Sequence, residues 1–172
     1  KTIESIEGVD YVITKGEEAR LAEIISRDTV HRVPAQESIY NLKISRFAGH
    51  TKAFLKIEDG CDMYCSYCII PYIRGGIKSR KPQEILEEAK RLIYNGYKQI
   101  ILTGIHLGAY GKKKKKKYRL TDIIHMLSNL AGLERLRLSS IEINEINNDL
   151  IDLVVHTKKI CPHFHIPLQS GD

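Results

Sequence analysis

The sequence predicts an α/β fold built on a parallel sheet, in the form of a partial (β/α) barrel that ends after about four strand–helix repeats. Segments with strand and helix patterns alternate from residue 53 onward, and such alternation gives parallel strands joined by right-handed crossovers. The sequence carries no dinucleotide-binding glycine fingerprint, which favours a barrel over a doubly wound sheet. The 172-residue chain ends directly after the fourth predicted strand, so we expect the barrel to be incomplete.

Each element of the repeat has a local sequence signal. Ile100, Ile101 and Leu102 form a continuous apolar run, as expected for a strand that is covered on both faces. Pro82 suits the first position of a helix, and Gly96 suits its end. The predicted strands cover residues 53–58, 99–103, 134–139 and 164–168; the predicted helices begin at Pro82, at an N-cap Thr121 and at Asn147 or Asn148, and end before Gly96, before Gly132 and near His156.

The segment before the barrel is predicted to belong to another domain. An apolar stretch at 9–13 and a helix over about 17–27 are typical of the end of an α/β unit. We expect residues 1–33 to be the remnant of an N-terminal domain, residues 34–52 to be a linker, and residues 53–172 to form the incomplete core.

The positive charge of the chain is concentrated in one tract. The chain has 27 Lys and Arg residues against 21 Asp and Glu residues, and six of the basic residues are the lysines at 112–117. Without that tract the balance is even. A solvated loop is the ordinary interpretation of such a block, and contact with nucleic-acid phosphates is the alternative. Since no apolar run approaches the roughly 18 residues of a membrane-spanning helix, we do not expect an integral membrane protein.

Three of the four cysteines lie together, immediately after the first predicted strand. Cys61, Cys65 and Cys68 have the spacing C-x3-C-x2-C, and the loops that follow the strands of a parallel barrel form its reactive face. Three thiolates at that spacing suit three corners of a cubane iron–sulfur cluster and leave one iron open. A structural zinc site is the alternative, with Cys161 or a histidine as its fourth ligand. Cys161 is otherwise interpreted as a buried or incidental thiol.

The sequence around these cysteines resembles the radical S-adenosylmethionine methylthiotransferases. The resemblance begins with Phe-Leu-Lys-Ile-Glu-Asp-Gly-Cys at 54–61 and includes Thr-Gly-Ile-His-Leu-Gly-Ala-Tyr-Gly at 103–111. It points to the branch that methylthiolates N6-threonylcarbamoyladenosine next to the tRNA anticodon. Further matching segments lie at 7–12, 65–75, 79–80, 137–142 and 165–171.

The resemblance implies a cytoplasmic enzyme with a [4Fe-4S] cluster on Cys61, Cys65 and Cys68. The open iron would bind S-adenosylmethionine, and an electron from a donor such as flavodoxin or ferredoxin would release a 5′-deoxyadenosyl radical. That radical would take hydrogen from C2 of the modified adenine of tRNA, where sulfur is then installed and methylated. A second [4Fe-4S] cluster is expected in an N-terminal domain that this chain lacks. We therefore expect the chain alone not to complete methylthiolation.

The same resemblance indicates residues that would bind the cofactor. Tyr67 occupies the aromatic position that packs near the adenine, with a surface aromatic as the ordinary alternative. Gly104 would let the backbone approach the methionine moiety, with a turn glycine as the alternative. Ser140, Glu142 and Gln169 stand at the ends of later strands, where they could donate or accept hydrogen bonds at the ribose or carboxylate.

Two arginines are candidates for contact with substrate. Arg74 and Arg80 could pair with a carboxylate or a tRNA phosphate through bidentate donors, and solvated arginines are the alternative. Isolated histidines at strand or helix positions are more often packing or surface residues, so we assign no role to His106, His125, His163 and His165.

Two further functions stay open at this point. The same chemistry could act on isopentenyladenosine in tRNA or on an aspartate of a ribosomal protein. A function of another class is a non-enzymatic zinc-binding module that contacts RNA through its lysine tract.

Overall fold

The computed structural model describes residues 3–7, 12, 50–112 and 118–171. The chain divides into two compact units, Lys1–Lys43 and Ile44–Asp172. The described part of the first unit contains a short 3₁₀ helix, Ile3–Ser5. The helix predicted over 17–27 and most of the predicted linker lie outside the described residues.

The second unit is an α/β structure around a parallel sheet, which confirms the predicted fold class. The elements of this unit in chain order are β1 Lys52–Lys56, β2 Glu58–Asp59, α1 Ile70–Arg74, β3 Lys78–Ser79, α2 Pro82–Tyr94, β4 Gln99–Thr103, α3 Leu120–Ser128, β5 Arg135–Leu138 and α4 Asn148–His156, with short 3₁₀ helices at Leu107–Ala109 and Ile143–Glu145. The parallel sheet has the order β1-β4-β5, and both of its pairings are parallel.

The central strand β4 matches its predicted bounds, and its sequence explains its place in the sheet. Ile100 and Leu102 are fully buried, and Ile101 on the opposite face is 8% exposed. Ile101 is aligned with Phe54 of β1, and Leu102 is aligned with Leu138 of β5. Apolar side chains on both faces are what a strand between two parallel neighbours requires.

Helix α2 confirms the prediction from its apolar period. Pro82 occupies the first turn, and Ile85, Ala89 and Leu92 form the buried stripe. The chain leaves the helix through Gly96, whose φ of 93° is in the left-handed region that glycine adopts without strain.

The two later helices begin differently from each other. At α4 the Asn147 side chain accepts a hydrogen bond from the backbone N–H of Leu150 at 3.0 Å, which confirms the predicted asparagine cap. At α3 the predicted N-cap Thr121 is wrong, because Thr121 lies within the helix and Arg119 is the N-cap. Asp122 caps this end from inside the helix by accepting from the backbone N–H of Arg119 at 2.6 Å.

The predicted fourth strand over 164–168 is wrong as a continuous strand. The structure has single parallel bridges instead, at Leu136–Ile160 and Ser140–His165. Pro162 and Pro167 lack the N–H groups that a continuous ladder would need. The sequence also gave no signal for the antiparallel hairpin of β2 and β3, into which the end of the predicted strand 53–58 passes.

The hydrophobic core lies between this sheet and helices α2, α3 and α4. Leu55, Ile100 and Leu136 contribute from the three strands, and Leu92 and Ile124 contribute from two of the helices. Within the described residues, no helix is both long and apolar enough to cross a membrane.

Candidate functional site

The loop that carries the three cysteines lies between β2 and β3, shortly after the carboxyl end of β1. Gly60 joins β2 to Cys61 with a φ of 79°, and a Cβ there would lie 2.6 Å from the carbonyl oxygen of Gly75. Glycine is therefore required at this position both by its backbone angle and by the close approach of the hairpin. The Cys61 N–H also donates to the Gly75 carbonyl oxygen, at 3.1 Å, and this fixes the start of the loop.

All three thiols of the loop are free and partly exposed. The Cys68 N–H donates to the Cys65 carbonyl oxygen at 2.9 Å, so these two cysteines share one turn before α1. Among the described residues, no three His, Cys, Asp or Glu side chains converge closely enough to hold one metal ion. A cubane cluster binds each of its thiolate ligands at a separate iron, and cysteine thiolates are the ligands that it takes. The chemistry of this donor set, three cysteines on one loop, therefore fits a cluster.

Burial raises the pKa of the Cys61 thiol, and the nearby Asp62 carboxylate and the other two thiols add to this shift. Without metal, Cys61 accordingly holds its proton more firmly than a free cysteine. Cys61 would hold iron as the thiolate, so binding of the cluster would release that proton.

Three of the predicted cofactor-binding residues come together beside the cysteine loop. The Tyr67 hydroxyl donates to Gln169 Oε1. Gln169 Nε2 in turn donates to both carboxylate oxygens of Glu142, each at 3.2 Å. The pKa of Tyr67 is raised, chiefly by loss of hydration. The negative charge of Cys65 and a hydrogen bond between Cys65 and the Tyr67 hydroxyl add to this rise. The result is an exposed polar chain that connects the cysteine loop to the segments after β5.

Ser140 belongs to a neighbouring pair. Its hydroxyl lies 2.8 Å from His165 Nδ1, and the two residues also form one of the isolated bridges. Ser140 follows β5, so this pair lies at the carboxyl edge of the sheet. Its side chain does not hydrogen-bond the Tyr67–Gln169–Glu142 chain, and the structure thus divides the predicted set into two groups.

Gly104 follows β4 and packs against a buried carboxyl group. A Cβ at Gly104 would lie 2.8 Å from Glu58 Oε2, so any larger residue would displace that side chain. Glu58 is fully buried, and Oε2 accepts the backbone N–H of His106 at 2.7 Å. Burial raises the pKa of Glu58 to about 7, against the opposing effect of this hydrogen bond. The residue behind Gly104 is therefore half-protonated near neutral pH.

Sequence reasoning missed His106 and Glu145. His106 Nδ1 lies 3.7 Å from Cys61 Sγ, and its Nε2 lies 2.9 Å from Glu145 Oε1. Lys112 Nζ lies 2.6 Å from the same oxygen. The hydrogen bond to Glu145 raises the pKa of His106; burial opposes ionisation of Glu145, but the hydrogen bonds from His106 and Lys112 lower its pKa overall. The available signal was the place of His106 in the loop after β4.

The two candidate arginines have different surroundings. Arg74 is partly exposed, and its Nη1 lies 3.3 Å from Asp59 Oδ1. Arg80 is 7% exposed, and its Nη2 lies 2.7 Å from Glu88 Oε2. Its Nη1 donates to the Lys56 carbonyl oxygen at 2.8 Å. Arg80 is thus paired and buried against α2, whereas Arg74 keeps an exposed side; contact of either arginine with a substrate stays a prediction.

The remaining candidates lie away from the cysteine loop or outside the described residues. Cys161 is half-buried, and its N–H donates to the Leu136 carbonyl oxygen at 2.9 Å, within β5 rather than at the edge of the sheet. Lys112 pairs with Glu145, whereas the other lysines of the tract, at 113–117, fall outside the described residues.

Comparison with known proteins identifies the class. The family model of the radical SAM superfamily matches residues 55–172, which are most of the chain. The matched region includes the cysteine loop and the carboxyl ends of all three strands of the parallel sheet. The chain belongs to the radical SAM superfamily.

The curated relatives are tRNA methylthiotransferases, which confirms the resemblance seen in the sequence. The chain is 36% identical to threonylcarbamoyladenosine tRNA methylthiotransferase MtaB of Bacillus subtilis, over 98% of this chain and 39% of that protein. It is 40% identical to tRNA-2-methylthio-N(6)-dimethylallyladenosine synthase of Desulforamulus reducens, over 70% of this chain and 26% of that protein. The chain thus spans well under half the length of these relatives.

A solved structure supports the fold. The radical S-adenosylmethionine methyltransferase TsrM from Kitasatospora setae, solved with cobalamin and a [4Fe-4S] cluster, aligns with a TM-score of 0.51 at 16% identity. The alignment covers 63% of this chain and 21% of TsrM. At this identity the likeness concerns the fold alone.

Proposed function

We propose that this chain is the radical SAM core of a tRNA methylthiotransferase. The observation that carries the proposal is the loop of three free cysteines at the carboxyl end of β1, within the region matched by the superfamily. In parallel α/β barrels this edge is where reactions take place. When bound, a [4Fe-4S] cluster supplies the electron that cleaves S-adenosylmethionine to a 5′-deoxyadenosyl radical. The chain's own residues hold and orient the reactants.

Within this proposal, Cys61, Cys65 and Cys68 bind the cluster as thiolates. The Tyr67–Gln169–Glu142 chain offers a phenol ring, an amide and a carboxylate beside them, a set suited to the adenine and ribose hydroxyls of the cofactor. Ser140 and Gly104 border the same edge after β5 and β4, where Ser140 offers a hydroxyl and Gly104 offers its backbone.

For the substrate, we favour N6-threonylcarbamoyladenosine in tRNA, methylthiolated at C2. The alignment with the threonylcarbamoyladenosine enzyme of Bacillus subtilis extends over 98% of the chain, against 70% for the dimethylallyladenosine enzyme of Desulforamulus reducens. The segment 103–111 points the same way. Arg74, on the exposed side of its pair with Asp59, is the arginine we place toward the substrate. A flavodoxin or ferredoxin as electron donor, a second cluster in an N-terminal domain and a cytoplasmic location complete the proposal.

The decisive experiment separates cluster chemistry from zinc binding. After anaerobic reconstitution we expect about four iron and four sulfide per chain. With dithionite and S-adenosylmethionine, the wild type should form 5′-deoxyadenosine, and Cys65→Ala should form none. Cys161→Ala is the matched control, because this cysteine lies outside the loop and its loss should leave the product unchanged. A colourless protein with stoichiometric zinc would overturn the proposal.

The choice of substrate needs a separate test. The protein that contains this chain is expressed in cells that lack their own methylthiotransferases, and the tRNA nucleosides are analysed by mass spectrometry. We expect 2-methylthio-N6-threonylcarbamoyladenosine in the wild type and its loss in Cys65→Ala. Methylthiolated isopentenyladenosine instead would retain the chemistry and reject the substrate.

A further inference from the structure

His106 joins three loops at the carboxyl edge of the sheet. It faces Cys61 Sγ through Nδ1 at 3.7 Å and Glu145 Oε1 through Nε2 at 2.9 Å. Its backbone N–H donates to Glu58 Oε2 at 2.7 Å. The side chain is only 6% exposed, so these contacts fix the orientation of the ring.

The chemistry of its neighbours determines which ring atoms carry hydrogen. The Glu145 carboxylate can only accept hydrogen bonds, so Nε2 must donate to it. Cys61 as a cluster ligand is a thiolate, which is likewise an acceptor without a hydrogen of its own. Nδ1, 3.7 Å from that sulfur, is therefore the ring atom placed to donate a hydrogen bond to Cys61 when the cluster is bound.

The surrounding loops are shaped to hold this arrangement. Lys112 Nζ lies 2.6 Å from Glu145 Oε1 and compensates the charge of the carboxylate that His106 also contacts. A Cβ at Gly108 would overlap the Glu145 carboxylate, so the 3₁₀ turn after β4 accommodates this side chain only because it has glycine there. Glu145 itself is 4% exposed. His106 as donor, Glu145 as acceptor and Lys112 as counter-charge thus lie together beside Cys61, one of the three cysteines.

Resting on the proposed function, we propose that His106 is a positioning residue for the cluster: it donates Nδ1–H to the Cys61 sulfur and raises the reduction potential of the [4Fe-4S] centre, while Glu145 holds the ring. Hydrogen bonds to ligand sulfur stabilise the more negative, reduced state of such clusters. A residue that hydrogen-bonds a metal ligand orients that ligand, and it also changes the affinity and the reduction potential of the metal site.

Two variants separate the two ring nitrogens. His106→Gln places an amide near the position of Nε2, so contact with Glu145 is kept while the donor to Cys61 is lost. His106→Asn places its amide nitrogen near the position of Nδ1, so the donor to Cys61 is kept. In the reconstituted protein, with iron content matched, we expect a midpoint potential more negative than wild type for His106→Gln and close to wild type for His106→Asn. His125→Gln, at an exposed position on α3, is the control and should not shift the potential.

A measurement on the wild type makes the test independent of variant folding. With ¹⁵N-labelled histidine, pulsed EPR of the reduced cluster should detect coupling to one ring nitrogen, and this coupling should disappear in His106→Gln. An unchanged potential in His106→Gln, or no such coupling in the wild type, would overturn the inference while leaving the proposed function intact. Failure of the wild type to assemble a cluster would overturn both.

Discussion

Two buried ion pairs of similar geometry occupy different parts of this fold. Arg80 Nη2 lies 2.7 Å from Glu88 Oε2, and His106 Nε2 lies 2.9 Å from Glu145 Oε1. All four side chains are less than one tenth exposed. The first pair joins the hairpin to helix α2, and the second joins the loops that follow β4 and β5.

The difference between the pairs lies in the remaining hydrogen-bonding atoms. Arg80 directs another of its nitrogens to the Lys56 carbonyl oxygen, so it ties together backbone and helix. His106 directs its other ring nitrogen to Cys61, a residue of the candidate site. Burial and charge pairing alone therefore do not distinguish the two pairs, whereas the third contact does. That of Arg80 is to backbone, so we call its pair the structural pair, and that of His106 is to the candidate site.

The largest expected effect comes from breaking the structural pair. Arg80→Met leaves Glu88 buried without its counter-charge, and we expect a loss of about 3–5 kcal/mol in the free energy of unfolding. Urea denaturation of the metal-free protein measures this loss. At a temperature where the variant is folded, its capacity for iron should be unchanged, because the cysteine loop does not depend on this pair.

Two controls accompany that measurement. The double variant Arg80→Met/Glu88→Leu removes both charges and should recover most of the stability. Lys98→Met breaks the exposed pair with Glu134, with side chains 57% and 62% exposed, and should cost less than about 1 kcal/mol. If Arg80→Met costs no more than Lys98→Met, the pair contributes nothing specific to the fold.

The regular elements were predictable because their periods are local. The unbroken apolar run of β4 and the stripe of Ile85, Ala89 and Leu92 in α2 each satisfy one simple pattern over a whole element. The hairpin of β2 and β3 is too short to have a period. The prediction of Thr121 as the cap of α3 was wrong because Asp122, inside the helix, caps that end instead. A search for capping residues at the helix boundary does not detect such a residue.

The residues of the candidate site also differ in how far the sequence alone could predict them. The cysteines were recognisable because their spacing is itself the chemical signal, and Tyr67 lies among them. Gln169 was predicted as a polar residue at the end of a strand that does not form, and its bridging position between Tyr67 and Glu142 is visible only in three dimensions. His106 and Glu145 meet across two loops, so no local pattern links them. The burial of Arg80 was not predictable, because a charged residue is expected at the surface and its partner Glu88 lies on another element.

The Glu58 carboxyl group, which accepts the backbone N–H of His106, should make the stability of the fold depend on pH. Burial raises the pKa of Glu58 from 4.5 to about 7. The folded state thus retains a proton that the unfolded state releases between about pH 4.5 and pH 7, so this group's contribution to stability is lost as pH rises through that window. The slope reaches at most about 1.4 kcal/mol per pH unit.

Urea unfolding across this window tests the effect of Glu58. In Glu58→Gln the amide is neutral at every pH, so this variant should lose less stability than wild type between pH 5 and pH 7. His106, whose pKa is also raised, is present in both proteins, so the difference between the two curves reports the charge of Glu58 and its coupling to His106. Parallel curves for the two proteins would show that Glu58 is already ionised in the folded state.

The smallest effect is expected where the site is exposed. Tyr67 is 70% exposed, in contrast to the buried His106, and its hydroxyl donates to Gln169. Tyr67→Phe removes the hydroxyl, so we expect almost no change in stability and a few-fold weaker binding of S-adenosylmethionine. Because the ring remains, Tyr67→Leu should weaken binding further if the ring packs on the adenine. Equilibrium binding to the reconstituted protein compares the two, and equal affinity in wild type and Tyr67→Leu would identify Tyr67 as a surface aromatic.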